Sequence, residues 1–250
     1  MAEVIFETEK ILVLQAQLGD WDNLNHLLVC KKTSKAAIVD PFEASYWLNI
    51  CQNNGWDLEQ AWLTHSHWDH SKGVGGLTDK EIWVHEKESE RGWDGPSNRE
   101  WNHQPLSHVI QQIGELQFEV HCSPGHTPGH VTFIGNGLVI SGDCLFLGRC
   151  GRTDLFGGSE VAQRDSLLYL RNIMVELPKE WLVLPGHQYS LSDGICPTFI
   201  SVGELLQNNE ALAALDDDNA WKNLEFLAFD DSLAEKARRE RAINSKVIKF

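Results

Sequence analysis

Thr64-His65-Ser66-His67-Trp68-Asp69-His70 places three imidazoles and a carboxylate within seven residues. Neutral imidazoles and carboxylates are the groups that zinc and other divalent metals take as ligands. The apolar run Gln60 to Thr64 in front of them reads as a short buried strand. The small residues Ser71 to Gly76 behind them read as a tightly packed helix start. The cluster is therefore expected on a loop leaving a strand end. His65 and His67, two positions apart, point the same way and can chelate one ion. Asp69 and His70 lie further along the turning loop and can face a second ion, as in two-metal hydrolases.

A single motif of this kind is thin support, because an isolated histidine is more often a core or surface residue. Three further segments repeat the pattern of strand, small residue and potential ligand. Cys122-Ser123-Pro124-Gly125-His126-Thr127-Pro128-Gly129-His130 follows the strand-like run Leu116 to His121, with Pro and Gly holding His126 in a tight turn. Leu138-Val139-Ile140-Ser141-Gly142-Asp143 is an apolar strand ending in an acid, and Trp181-Leu182-Val183-Leu184-Pro185-Gly186-His187 is one ending in a histidine. Four such segments in series predict a site built along one edge of a sheet.

The order THxHxDH, PGHTPGH, SGD, PGH resembles the metallo-β-lactamase superfamily, from Leu12 to at least Tyr189. Within it the chain is most similar to the glyoxalase II (hydroxyacylglutathione hydrolase) branch. Gly186-His187-Gln188-Tyr189-Ser190-Leu191-Ser192 is similar to the GHEYTLS segment of that branch. Asp22-Asn23-Leu24-Asn25 and Ile38-Val39-Asp40-Pro41 resemble its DNY and IVDPG segments.

The resemblance implies two divalent metal ions per chain, zinc by expectation, with iron and manganese equally suited to the donors. His65, His67 and His126 would bind the first, Asp69, His70 and His187 the second, and Asp143 would bridge them. Asp69 would also act catalytically by orienting a metal-bridging hydroxide that attacks a thioester carbon. His130 is expected to support the site, and His26, His85, His103, His108 and His121 to be structural. The implied substrate is a small-molecule, glutathione-derived thioester, S-2-hydroxyacylglutathione, contacted by Arg152 and Tyr189. Arg152 would clamp its carboxylate; the plainer expectation is an ion pair with Asp154 or Asp165. Gly151-Arg152-Thr153-Asp154 resembles the persulfide dioxygenases, so the alternative is a mononuclear-iron enzyme acting on glutathione persulfide.

Composition narrows the partners. Lys and Arg number 21 against 36 Asp and Glu, a net charge of −15, which speaks against nucleic acid and anionic membranes. The six cysteines form no CxxC pair and read as buried thiols. The start, Met1 to Glu7, lacks the positive charge of a signal peptide, and no apolar run reaches transmembrane length. A cytoplasmic protein is expected, of unspecified oligomeric state.

Strand-like runs occur at Ile11 to Leu14, His26 to Cys30, Ala36 to Val39, Ala61 to Thr64, Glu81 to Val84, Leu116 to Cys122, Val131 to Ile134, Leu138 to Ser141 and Trp181 to Leu184. Gly135-Asn136-Gly137 reads as a hairpin turn. Helical runs occur at Glu43 to Asn53, Ser159 to Glu176, Thr198 to Leu215 and Asp230 to Ala242, with Asp216 to Asn219 as a turn. The fold class is α/β. The resemblance implies an αββα four-layer sandwich, with a catalytic domain over 1–190 and a short C-terminal helical region over 191–250.

Overall fold

The structure is a computed structural model and describes residues 1–224. Two sheets stack face to face. The first runs in chain order: β1 (Glu3–Glu7), β2 (Ile11–Gln17), β3 (Leu24–Cys30), β4 (Lys35–Val39), β5 (Asp57–Trp62), β6 (Glu81–His85) and β7 (Arg99–Trp101). It is antiparallel up to β4 and parallel from β4 to β7. The second holds β8 (His108–Ile113), β9 (Leu116–Cys122), β10 (Val131–Gly135), β11 (Leu138–Gly142), β12 (Leu182–Pro185) and β13 (Ile200–Ser201), with β8 and β13 at its edges. Only its β11–β12 pair is parallel.

Alternation along the strands builds the layers. Side chains two apart share a face, so Ile11, Val13, Leu28, Cys30, Ala37, Val39 and Trp62 point toward the second sheet. They meet Phe118, Val120, Val131, Phe133, Leu138, Ile140 and Leu184 there. Trp62 is fully buried, 5.6 Å from the Phe118 ring and 5.3 Å from that of Phe133. Truncating it to alanine removes about 3–5 kcal/mol.

The opposite faces are covered by helices. Leu14, Leu27, Val29, Ala36 and Ile38 pack on Trp47 and Cys51 of α1 (Ala44–Asn54). That helix stops at Gly55, whose φ of 69° lets its N–H reach the carbonyls of Cys51 and Gln52. Short α2 (Trp68–Ser71) and α3 (Glu86–Glu90) follow β5 and β6. On the other side α4 (Glu160–Glu176) buries Gln163, Ser166, Leu167, Leu170 and Met174, a stripe at helical spacing. Ser159 caps it by accepting from Ala162 N. Beside α4 lie α5 (Val202–Asn208), α6 (Glu210–Ala214) and α7 (Asp218–Lys222). Val202, Leu205, Ala211, Leu212 and Trp221 share one core with Val139, Val183, Leu167 and Leu170. The αββα architecture and the Asn136 hairpin, with φ 52°, are as the sequence predicts.

Two expectations need correction. The helix expected over Thr198 to Leu215 is β13 followed by α5 and α6. Asn209 breaks it: the side chain caps Leu212 N at 2.9 Å while its amide donates to Phe146 O at 2.8 Å. The turn expected over Asp216 to Asn219 is shorter and ends at Asp217, which accepts from Asn219 N and Ala220 N and so opens α7. The helix expected over Asp230 to Ala242 lies outside the described residues. Five cysteines are buried free thiols, and Cys196 is exposed. No helix among the described residues is long and apolar enough to cross a membrane.

Candidate metal centre

All four ligand segments leave the same rim of the sandwich. His65 follows β5, His126 follows β9, Asp143 follows β11 and His187 follows β12. Two neighbouring groups result: His65, His67 and His126, and Asp69, His70 and His187, with ligand atoms within 4.8 Å of one another in each. Asp143 stands between them. Its Oδ2 is 3.5 Å from His126 Nε2 and 3.4 Å from His187 Nε2, and its Oδ1 is 3.4 Å from His70 Nε2. All seven are buried; Asp143, at 7 % exposed, is the most open.

Hydrogen bonds on the outer ring nitrogens fix which way four of the five imidazoles face. His65 Nδ1 is 3.0 Å from Thr64 Oγ1, which donates its own proton to Asp40 Oδ2 at 2.6 Å. His70 Nδ1 donates to Asp40 Oδ2 at 2.9 Å. His126 Nδ1 donates to Arg152 O, and His187 Nδ1 to Trp21 O, both at 2.7 Å. A neutral imidazole with its proton on Nδ1 presents a bare Nε2. His70 Nε2 and His187 Nε2 consequently face each other at 3.1 Å, and His126 Nε2 faces His67 Nδ1 at 2.9 Å. Lone pairs at that spacing repel unless a metal ion or a proton lies between them. His65 Nε2, His67 Nε2, Asp69 Oδ1 and Asp143 Oδ1 are buried with no hydrogen-bond partner. The donor set thus fits divalent metal ions.

Electrostatics tell the same story. Burial holds His65, His67 and His130 well below the ordinary imidazole range, and His126 below it too, so these four rings are neutral at pH 7. Burial opposes charge on His70 and His187 as well. Asp143 leads the carboxylates that overcome it, raising His70 well above its usual value and His187 to about 10. Burial would raise Asp69 and Asp143, but the imidazoles around them keep both below the carboxylate range. That half of the site demands positive charge.

The chain tightens around these groups at glycines. Gly186 separates β12 from His187, and a Cβ there would lie 2.3 Å from Asp143 Oδ1 and 2.8 Å from His70 Cε1. Gly142 has φ 49°, and a Cβ would come within 2.6 Å of Thr64 Oγ1.

His130 accepts from the backbone N–H groups of Asp143 and Cys144, each at 3.1 Å, and so aims the central carboxylate. The remaining expected site residues are placed as follows. Arg152 lends its carbonyl to His126, while its guanidinium pairs with Asp154 at 2.5 Å. Tyr189 is half-buried, 6.0 Å from the His187 ring and 4.9 Å from that of Phe146, with Arg149 Cζ 5.2 Å above it.

Sequence reasoning gave no role to several supports. Asn23 Nδ2 donates to Asp69 Oδ2 at 2.8 Å. Asp40, itself at φ 50°, also accepts from Thr64 N at 2.7 Å. Glu88 accepts from Ser66 N at 2.9 Å and Gly129 N at 2.8 Å. At the rim Trp68 packs edge-on to Trp21 and Phe42, with Lys72 Nζ 4.1 Å from the Phe42 ring centre. The only available signal for Asn23 and Asp40 was their position in segments with a familial look.

A sequence profile of the metallo-beta-lactamase superfamily matches residues 19–187. The chain belongs to that superfamily. Among curated proteins it is 32 % identical over 163 residues to the hydroxyacylglutathione hydrolase of Enterobacter sp. (strain 638), covering 64 % of this chain and 59 % of that protein. It is 30 % identical over 199 residues to a probable hydroxyacylglutathione hydrolase of Schizosaccharomyces pombe, covering 74 % and 71 %. The matched stretch thus spans about three fifths of the bacterial relative's length. Among solved structures, ETHE1 from Myxococcus xanthus superposes with a TM-score of 0.67 at 26 % identity, covering 89 % of this chain and 95 % of its own.

Proposed function

We propose that this chain is a metal-dependent thioester hydrolase, with S-2-hydroxyacylglutathione as its substrate. One observation carries the reading: two sets of bare, buried ligand atoms meet at Asp143. In this reading His65, His67 and His126 would hold one divalent ion and Asp69, His70 and His187 a second, with Asp143 a ligand shared by the pair. The ions, zinc foremost, supply an acidified water and a Lewis acid for the acyl oxygen. The names of the curated relatives support a glutathione-derived substrate.

The chain's own residues do the rest. Asn23 pins one oxygen of Asp69, leaving Oδ1 to accept a hydrogen bond and orient a water. Asp69 stays ionised, so it serves as an orienting acceptor rather than a strong base. The departing thiolate is stable near neutral pH and needs little protonation, which suits a site crowded with acceptors. Tyr189, beside His187 and under Arg149, contacts the thiol portion. Arg152 clamps a substrate carboxylate by exchanging it for Asp154. Residues 1–190 carry the catalytic groups, and the protein works in the cytoplasm on a small molecule.

The test is thiol release from S-D-lactoylglutathione by metal-replete protein. Rapid release that is abolished in His67→Ala supports the proposal. No release with metals bound overturns the substrate. The GRTD segment favours a second reading, glutathione persulfide oxidation at a single iron. Metal content separates the two: near two ions per chain fits the hydrolase, one iron fits the dioxygenase.

A further inference from the structure

A second convergence of metal-binding side chains lies on the outer face of the second sheet. His108 and His121 are direct cross-strand partners of β8 and β9. Glu119 precedes His121 by two residues on β9 and so shares its face. Their ligand atoms lie within 4.8 Å of one another. Glu119 Oε2 is 2.9 Å from His121 Nε2, and its Oε1 is 3.8 Å from His108 Nε2. One carboxylate thus addresses two imidazoles, one with each oxygen.

We propose that His108, Glu119 and His121 bind a divalent transition metal of the zinc class, distinct from the buried centre. Two imidazoles and a carboxylate are a zinc donor set that leaves a further position for water. The exposures agree: the His121 side chain is 2 % exposed, whereas His108 and Glu119 are 44 % and 43 % exposed and open to an arriving ion.

A separate contact supports the assignment. Tyr169 of α4 places its hydroxyl 2.8 Å from His121 Nδ1. With the ring proton on Nδ1, donated to the phenol oxygen, Nε2 is bare and faces Glu119. Metal-ligating histidines characteristically carry such an outer partner. Without the ion the ring proton sits on Nε2 and bonds Glu119, and the Tyr169 hydroxyl donates to Nδ1. The ring is neutral in both states, and the ion takes the place of the proton between His121 and Glu119. Because β8 is an edge strand, the ion also staples that edge to β9.

Calorimetric titration of the metal-loaded protein with Zn2+ tests this. Wild type takes up one more Zn2+ per chain than His108→Ala, and the isosteric Glu119→Gln behaves like His108→Ala. Tyr169→Phe weakens the extra site by about tenfold. Equal stoichiometry and affinity in wild type and His108→Ala would overturn the proposal, as would an extra site that survives Glu119→Gln. The comparison is between variants, so it holds whatever the buried centre contains or catalyses.

Discussion

Glu88 lies directly beneath Ser66, accepting from both its backbone N–H and its hydroxyl. Ser66 sits between His65 and His67. The other Glu88 oxygen accepts from Gly129 N at 2.8 Å, between His126 and His130. One fully buried carboxylate therefore ties together the two loops that carry the first ligand group. Glu88→Ala leaves these donors without their acceptor and the Arg91 guanidinium without its carboxylate. The expected outcome is a loss of about 3 kcal/mol in denaturant unfolding, together with reduced metal content. Unchanged stability would show that the loops hold their shape without it.

Asp40 accepts from His70 Nδ1 and from both donors of Thr64. Its positive φ suits Asp and Asn alike. Asp40→Asn should therefore keep the fold while weakening its grip on the His70 ring. Metal affinity is expected to fall about 10- to 100-fold, read by competition with a chromophoric chelator, with the melting temperature of the chelated protein little changed.

Burial lowers the His26 imidazole from 6.5 to about 3. Its Nε2 accepts from Gln15 Nε2 at 3.0 Å. Between those two pH values the unfolded chain holds a proton that the folded chain refuses, so stability falls as the pH falls. The contribution is about 1.4 kcal/mol per pH unit within that window. His26→Gln should remove this part of the slope. Unfolding free energies of both proteins measured from pH 7 to pH 4 check it, and parallel curves would refute the assignment.

The Arg152 guanidinium grips Asp154 in two places. If it exchanges that partner for a substrate carboxylate, Arg152→Ala raises KM for a glutathione thioester by about tenfold, the worth of one charge-assisted hydrogen bond. Thioesters lacking the glutathione part should keep their kcat/KM. An equal loss on both substrates would instead assign Arg152 a purely structural role with Asp154.

Legibility of the sequence followed the range of the interactions. The four ligand segments could be read because each is a local pattern, an apolar strand running into a small residue and a donor. Leu116 to Cys122 has the same bounds in the sequence and in the structure. Strand β8 could not be read, because its inner face carries Gln111. That side chain accepts from Trp101 Nε1 and donates to Gln60 Oε1, so a polar residue stands where alternation calls for an apolar one. Strand β7 is three residues long with only Trp101 buried. Supports of the site were hidden for another reason. Asn23 meets Asp69 across 46 positions and Glu88 meets Ser66 across 22, distances no periodicity spans. The ion pair of Arg152, two residues from Asp154, was within reach of a local reading.

Arg91 joins parts of the molecule described separately above. One guanidinium donates to Ser66 Oγ, to Glu88 and to the carbonyl of Phe156. The segment that bears Arg152 and Asp154 is thus latched to the loop that bears His65 and His67. Enzymes diversify most freely when recognition and chemistry sit on independent parts. If Arg152 recognises the substrate as proposed, here they do not: a mutation that reshapes 152–158 also pulls on the ligand loop through Arg91. Lineages that change substrate on this scaffold should therefore exchange Arg91, whose partner at 156 is a backbone carbonyl that any residue there supplies, retuning the latch before or along with the pocket.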